Sequence, residues 1–146
     1  LHTNSSVETI TRLVNMGIPN YLISSSVSLI VGQRLARKIC QDCKIEDKNV
    51  SPKLLKQMKL PSDIKAYVGK GCSKCGNAGY KGRQGIYEIL KMTEDLQDGI
   101  LKNLTIPEME KIAKKEGFQS MQEIGSNYIN EGILSLEEYQ RTLFIS

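Results

Sequence analysis

All four cysteines of this 146-residue sequence fall into two C-x-x-C pairs, Cys40/Cys43 and Cys72/Cys75, with 28 residues between the pairs. No other feature constrains the fold so tightly. Two residues between thiols let both sulfurs reach about 2.3 Å from one metal ion while backbone N–H groups turn toward them. Two such knuckles complete a tetrahedral four-thiolate shell. A closed shell leaves no position for water, so the pattern predicts a structural zinc ion and not a catalytic one. Lys38, Lys44, Lys70 and Lys74 flank the thiolates and offset the double negative charge of such a centre. One ion tying Cys40 to Cys75 supplies folding energy to a stretch with little core of its own.

Other chemistries use the same residues. Two disulfides need an oxidising compartment, yet the sequence has no basic-then-apolar leader and its surface is rich in lysine. A redox motif needs only one C-x-x-C, at a helix start after a strand. A rubredoxin-like iron or a four-iron cluster takes the same four ligands, so iron stays the alternative metal. The stretch Cys72 to Gly79 half-matches the C-x-x-C-x-G-x-G repeat of Hsp40-type chaperones, but Asn77 breaks the glycine pattern and there is a single copy.

Apolar residues make up 40% and charged residues 25%, enough for a packed core in one ordinary domain or a small domain with a subdomain. Aromatics are only 5%, with no Trp. The core must rest on Ile, Leu, Val and Met, and stacking sites for sugars or bases are few. No uncharged apolar run approaches the ~20 residues that span a bilayer. The sequence opens on Leu1-His2-Thr3-Asn4 without an initiator Met, and reads as part of something larger.

Four helix starts fit the capping box, in which a hydroxyl accepts from a first-turn N–H and a Glu reaches back: Ser5/Glu8, Thr105/Glu108, Ser120/Glu123 and Ser135/Glu138. The first opens a helix with Val7, Ile10, Leu13 and Val14 that stops at Gly17. Pro19 opens a second, to about Ser28. Gln33 to Cys40 alternates as a short strand. Ser51-Pro52 starts a short helix with Leu54, Leu55 and Met58 on one side, ended by Pro61. Lys53, Lys56 and Lys59 form its solvated side. Six glycines between 69 and 85 predict loop or knuckle throughout, followed by a strand over Ile86 to Lys91. From Thr93 onward the pattern is helical, with stops at Gly117 and Gly132. Lys114 and Lys115 suit a helix C-terminus, and Tyr80, Tyr87, Tyr128 and Tyr139 read as core or half-core. The fold class is α+β, predominantly α-helical: a short β element with a four-cysteine knuckle, then a small C-terminal helical bundle.

Three groups of residues together resemble the C-terminal part of the type II secretion and type IV pilus assembly ATPases. The first is Leu1-His2-Thr3-Asn4-Ser5-Ser6 with Arg12-Leu13-x-x-Met16-Gly17-Ile18-Pro19 and Gln33-Arg34-Leu35-x-Arg37-x-Ile39-Cys40. The second is Gly71-Cys72-x-x-Cys75 with Gly79-Tyr80-x-Gly82-Arg83-x-Gly85-Ile86-Tyr87-Glu88. The third is Gly132 to Glu138. The resemblance implies a hexameric, cytoplasmic P-loop ATPase, peripheral at the inner face of the bacterial membrane. Its partner is an inner-membrane platform protein, and its work is assembly of pilin or pseudopilin subunits. It implies that residues 1–39 end the ATPase core, 40–91 form the tetracysteine zinc-binding subdomain and 92–146 form a C-terminal helical region. It also implies that His2 lies near the nucleotide phosphates. ATP and Mg²⁺ belong to the longer parent, because these residues contain no G-x-x-x-x-G-K-[ST] and no acidic Walker B segment.

Two other classes fit less well. A zinc-ribbon nucleic-acid module explains the thiols and lysines but lacks aromatics. Its basic stretch is broken by Glu46, Asp47, Asp63 and Glu88, and the net charge is only +4. A zinc enzyme needs an open metal position, whereas the one histidine, His2, stands 38 residues from the nearest cysteine. Arg34 and Arg37 read as a solvated strand face, with interface contacts as the sharper alternative.

Overall fold

The computed structural model describes residues 1–144, so the last two residues of the expected 92–146 region lie outside it. In chain order the elements are α1 (Ser6–Asn15), α2 (Asn20–Ser26), β1 (Leu29–Ile39), β2 (Lys44–Glu46), α3 (Pro52–Gln57) and β3 (Tyr67–Gly69). A 3-10 turn follows (Ser73–Cys75), then β4 (Tyr80–Lys91), α4 (Glu94–Leu101), α5 (Ile106–Lys115), α6 (Met121–Asn130) and α7 (Leu136–Leu143). The α+β class, with more helix than strand, is as the sequence predicts. The chain forms two compact units, each built from two segments: residues 1–33 with 87–121, and residues 34–86 with 122–146. The four C-terminal helices are divided between them, α4 and α5 in the first and nearly all of α6 and α7 in the second.

The long strands β1 and β4 pair with each other, and β2 pairs with β3. Met92 N–H donates to the Ser28 carbonyl at one end of the β1–β4 ribbon, and Cys40 N–H to the Gly79 carbonyl at the other. The pair is therefore antiparallel, and between these two bonds the eleven residues of β1 face the twelve of β4. One residue of β4 is extra, a bulge. Within the strand Gly82 takes a left-handed backbone at φ 78°. The stretch 80–85 was expected as loop; it is strand, because its glycines accommodate a bulge and do not break the pairing. β1 likewise begins four residues earlier than the alternation suggests. α2 stops at Ser26, where serines are weak helix formers and Val27, Ile30 and Val31 favour extended backbone.

In the first unit, Val7, Ile10, Ile23, Leu90, Leu96, Ile100, Met109 and Ala113 form one buried cluster. The same unit holds a fully buried carboxylate. Glu88 is 1% exposed and accepts from Ser6 N–H at 2.6 Å, from the Ser6 hydroxyl, and from Met121 N–H at 2.8 Å. It thus satisfies the first-residue N–H groups of both α1 and α6, where helix dipoles also favour negative charge. Tyr87, beside it, points outward and is 48% exposed, contrary to the half-core expectation, because alternate residues of a strand face opposite sides.

The capping expectations divide. Thr105 and Glu108 make the complete reciprocal box, and Ser5 accepts from Glu8 N–H at 3.1 Å. Ser135 accepts from Glu138 N–H at 3.1 Å, but the Glu138 carboxylate does not reach back. It is buried and taken by two guanidinium groups, Arg37 at 2.8–2.9 Å and Arg141 at 2.6–2.8 Å, with the Arg37 N–H at 2.7 Å. Arg37 also lies 4.2 Å over the Tyr80 ring. Arg37 stays exposed, its side chain 46% accessible, as a solvated strand position should be, and it is in addition paired and stacked within the second unit. Burial pushes the Glu138 carboxyl up, yet hydrogen bonds from Arg141 and Arg37 outweigh burial and hold it at about 2. A depressed carboxyl stabilises the fold above its unfolded value and loses that contribution as pH falls through its folded value. Urea stability of the chain should therefore decline between about pH 4.5 and 2, and Glu138→Gln should flatten that limb of the profile. An unchanged acid limb in the variant would contradict this origin.

α3 is shorter than Pro61 suggests. It ends at Gln57, and Lys59 takes a left-handed conformation at φ 55°. Leu55 and Met58 are buried, and Lys53, Lys56 and Lys59 are exposed, as expected.

Candidate metal centre

The first knuckle, Cys40 to Cys43, joins the end of β1 to β2. The second, Cys72 to Cys75, joins β3 to β4 through the 3-10 turn. Pairing of β2 with β3, in the register Lys44↔Gly69, Ile45↔Val68 and Glu46↔Tyr67, draws the knuckles together from below. Pairing of β1 with β4 draws them together from above. The Lys70 N–H donates to the Cys43 carbonyl at 3.1 Å, and Cys40 N–H to Gly79 at 2.9 Å. Gly69 and Gly79 lie back to back in this frame. A Cβ on Gly69 would meet the Gly79 carbonyl oxygen at 1.9 Å, so the approach admits no side chain. Asn77, which departs from the chaperone-like glycine pattern, takes the left-handed backbone at φ 62° that Asn tolerates better than most residues.

The four sulfurs lie within 4.8 Å of one another. Cys40 to Cys72 is 3.9 Å, Cys43 to Cys75 is 3.9 Å and Cys72 to Cys75 is 3.7 Å. A tetrahedron with arms of about 2.3 Å has edges of about 3.8 Å. The donor set and spacing fit one metal ion held by four thiolates. All four cysteines are free. The donors are also prepared for negative charge. Gly71 N–H points at Cys43 Sγ, and Cys72 N–H and Gly79 N–H both point at Cys75 Sγ, each at 3.3 Å. The Cys72 N–H, with Gly79 behind it, draws the Cys75 thiol down to about 6 against the effect of burial. Burial pushes Cys43 up to about 11. Its single N–H donor opposes this, while the three neighbouring thiols reinforce it.

Of the four flanking lysines, Lys74 bridges the knuckles by pairing with Asp42 at 3.0 Å. Lys44 donates to Gln41 Oε1 at 3.0 Å and lies 5.4 Å from the Tyr67 ring centre. His2 is exposed and is not part of the thiol group. Sequence reasoning did not single out Gln41. Its side-chain amide donates to the carbonyls of Ile39 at 2.9 Å and Gly132 at 3.3 Å. No local motif marks a glutamine whose partner lies 91 positions away.

A model of the type II/IV secretion system protein family matches residues 1–141. The chain belongs to that family. It is 46% identical to the type IV pilus assembly ATPase PilB of Pseudomonas aeruginosa over 145 residues, covering 97% of this chain and 25% of that protein. It is 38% identical to the type II secretion system ATPase E of Vibrio cholerae over 142 residues, covering 97% of this chain and 28% of that protein. Against PilB of Thermus thermophilus the identity is 35% over 142 residues, covering 94% and 16%. The chain thus spans between 16% and 28% of the length of these family members, and the kinship suggested by the His2 box, the second knuckle and the Gly132 segment is established. Among the described residues no helix is long and apolar enough to cross a membrane.

Proposed function

We propose that these residues form the C-terminal, zinc-containing region of a hexameric motor ATPase that powers type II secretion or type IV pilus assembly. Residues 1–39 close the nucleotide-binding core, 40–91 carry the metal and 92–146 supply the terminal helices. Within this reading the role of the region is architectural. Zinc at Cys40, Cys43, Cys72 and Cys75 supplies four-point rigidity and no open site for chemistry, and the stiffened lobe docks on an inner-membrane platform protein at the cytoplasmic face. ATP and Mg²⁺ are held elsewhere in the parent, with His2 near the phosphates. The observation that carries the proposal is the set of four sulfurs at tetrahedral edge lengths. Metal analysis of the purified chain should find one equivalent of zinc, released by a thiol-modifying reagent. The same sample should show no ATP turnover above a protein-free blank. Absence of thiol-bound metal would remove the zinc assignment, and measurable turnover would remove the division of labour.

A further inference from the structure

The strand ends that carry the cysteines also hold the turn between α6 and α7. Ile39, one residue before Cys40, donates its N–H to the Ile133 carbonyl at 2.9 Å. Gln41, one residue after Cys40, donates to Gly132. Lys44, one residue after Cys43, lies across Gly132, where a Cβ would meet its Nζ at 2.8 Å. On the other strand, Gly79 donates its N–H to Cys75 Sγ, and the next residue, Tyr80, shares a 2.7 Å hydrogen bond between its hydroxyl and that of Ser135, which caps α7. Arg37, two residues before Ile39, adds the ion pair to the buried Glu138 carboxylate of α7. Arg37, Ile39, Gln41 and Lys44 lie within three residues of a cysteine, and Tyr80 lies five beyond Cys75, directly after the Gly79 whose N–H meets the Cys75 sulfur.

Fixing the sulfurs fixes the positions to which the turn is bonded. We infer that metal binding at the four cysteines and docking of the α6–α7 turn with α7 are energetically coupled, so that the terminal helix is ordered by the ion some distance from it. This rests on the zinc reading. Coupling is reciprocal: whatever loosens the turn weakens metal binding by the same factor that metal loss loosens the turn. Typical coupling between sites corresponds to about 5- to 150-fold.

Two measurements test it. Hydrogen exchange of the purified chain is compared with and without a zinc chelator under reducing conditions. Amides in 129–143 should lose protection about tenfold or more together with those in 40–79, while those in 6–15 and 94–115 keep theirs. Separately, zinc affinity is read by chelator competition for Gly132→Ala, which touches no thiol but puts a side chain at φ 72°. Affinity should fall at least about fivefold, and Lys53→Ala should bind as the unaltered chain does. Tyr80→Phe, which removes only a hydroxyl, is the milder second variant and should shift affinity in the same direction. If the chain holds zinc but stripping leaves 129–143 protected, or both turn variants bind normally, the coupling is wrong and the zinc reading stands. If no metal binds, both fall. Loss of protection throughout 6–15 and 94–115 would mean that the ion sustains the whole fold, which also overturns the specific coupling.

Discussion

Glu88→Ala should destabilise the chain by about 3–5 kcal/mol. The carboxylate is completely buried and accepts from two backbone N–H groups and one hydroxyl. Alanine removes the oxygens to which the buried Ser6 and Met121 donors are bonded, and each stranded donor costs about 1–3 kcal/mol. The void left by the side chain adds to this. Thermal unfolding followed by circular dichroism should show a midpoint lowered by about 10 °C or more. Glu88→Gln retains one acceptor oxygen and should recover part of the loss. A shift of less than about 3 °C for the alanine variant would mean that these helix ends find other partners.

The second large effect is expected from Cys40→Ser. Cys40 is fully buried at the end of β1, and its sulfur is one corner of the tetrahedron. Serine is a poor zinc ligand, and three thiolates leave the shell open. Structural zinc sites contribute about 10–16 kcal/mol of apparent binding energy in small domains, so even partial loss exceeds the stability of most local structure. The variant should retain less than a tenth of the zinc of the unaltered chain. Trypsin should cut it rapidly within 44–71, where β2 and β3 are three residues each and Lys48, Lys53, Lys56, Lys59, Lys65 and Lys70 are available. Chelator treatment of the unaltered chain should reproduce the same cleavage pattern. Full zinc content with unaltered proteolysis would show that the ion, if present, is held elsewhere.

The contrast between these two residues explains what the sequence disclosed. The thiol pairs are legible because knuckle geometry is local: two intervening residues set the reach of both sulfurs whatever the rest of the chain does. Thr105 with Glu108 is legible for the same reason. Ser135 with Glu138 is legible by half. The hydroxyl caps α7, but a buried carboxylate facing Arg37 and Arg141 gains more from two guanidinium groups than from one N–H. The part Glu88 plays at the two helix starts was not legible. Its partners Ser6 and Met121 lie 82 and 33 positions away, and no spacing rule reaches so far. β2 and β3 were missed because three residues carry no periodicity. Their pairing, in the register Lys44↔Gly69, Ile45↔Val68 and Glu46↔Tyr67, is set by contacts far apart in the chain. The bulge in β4 was read as loop, since a glycine that accommodates an extra residue looks the same in one dimension as a glycine that ends a strand.

The two knuckles sit at the feet of one ribbon, and the 28 residues threaded between them leave and return through a single clamp. With both ends pinned, doubling the length of that excursion would add only about 0.6 kcal/mol of closure entropy. The α3 excursion can therefore be lengthened, shortened or redecorated at little cost to the ribbon that holds its two ends. The clamp makes this stretch a place where surface can change without rebuilding the frame.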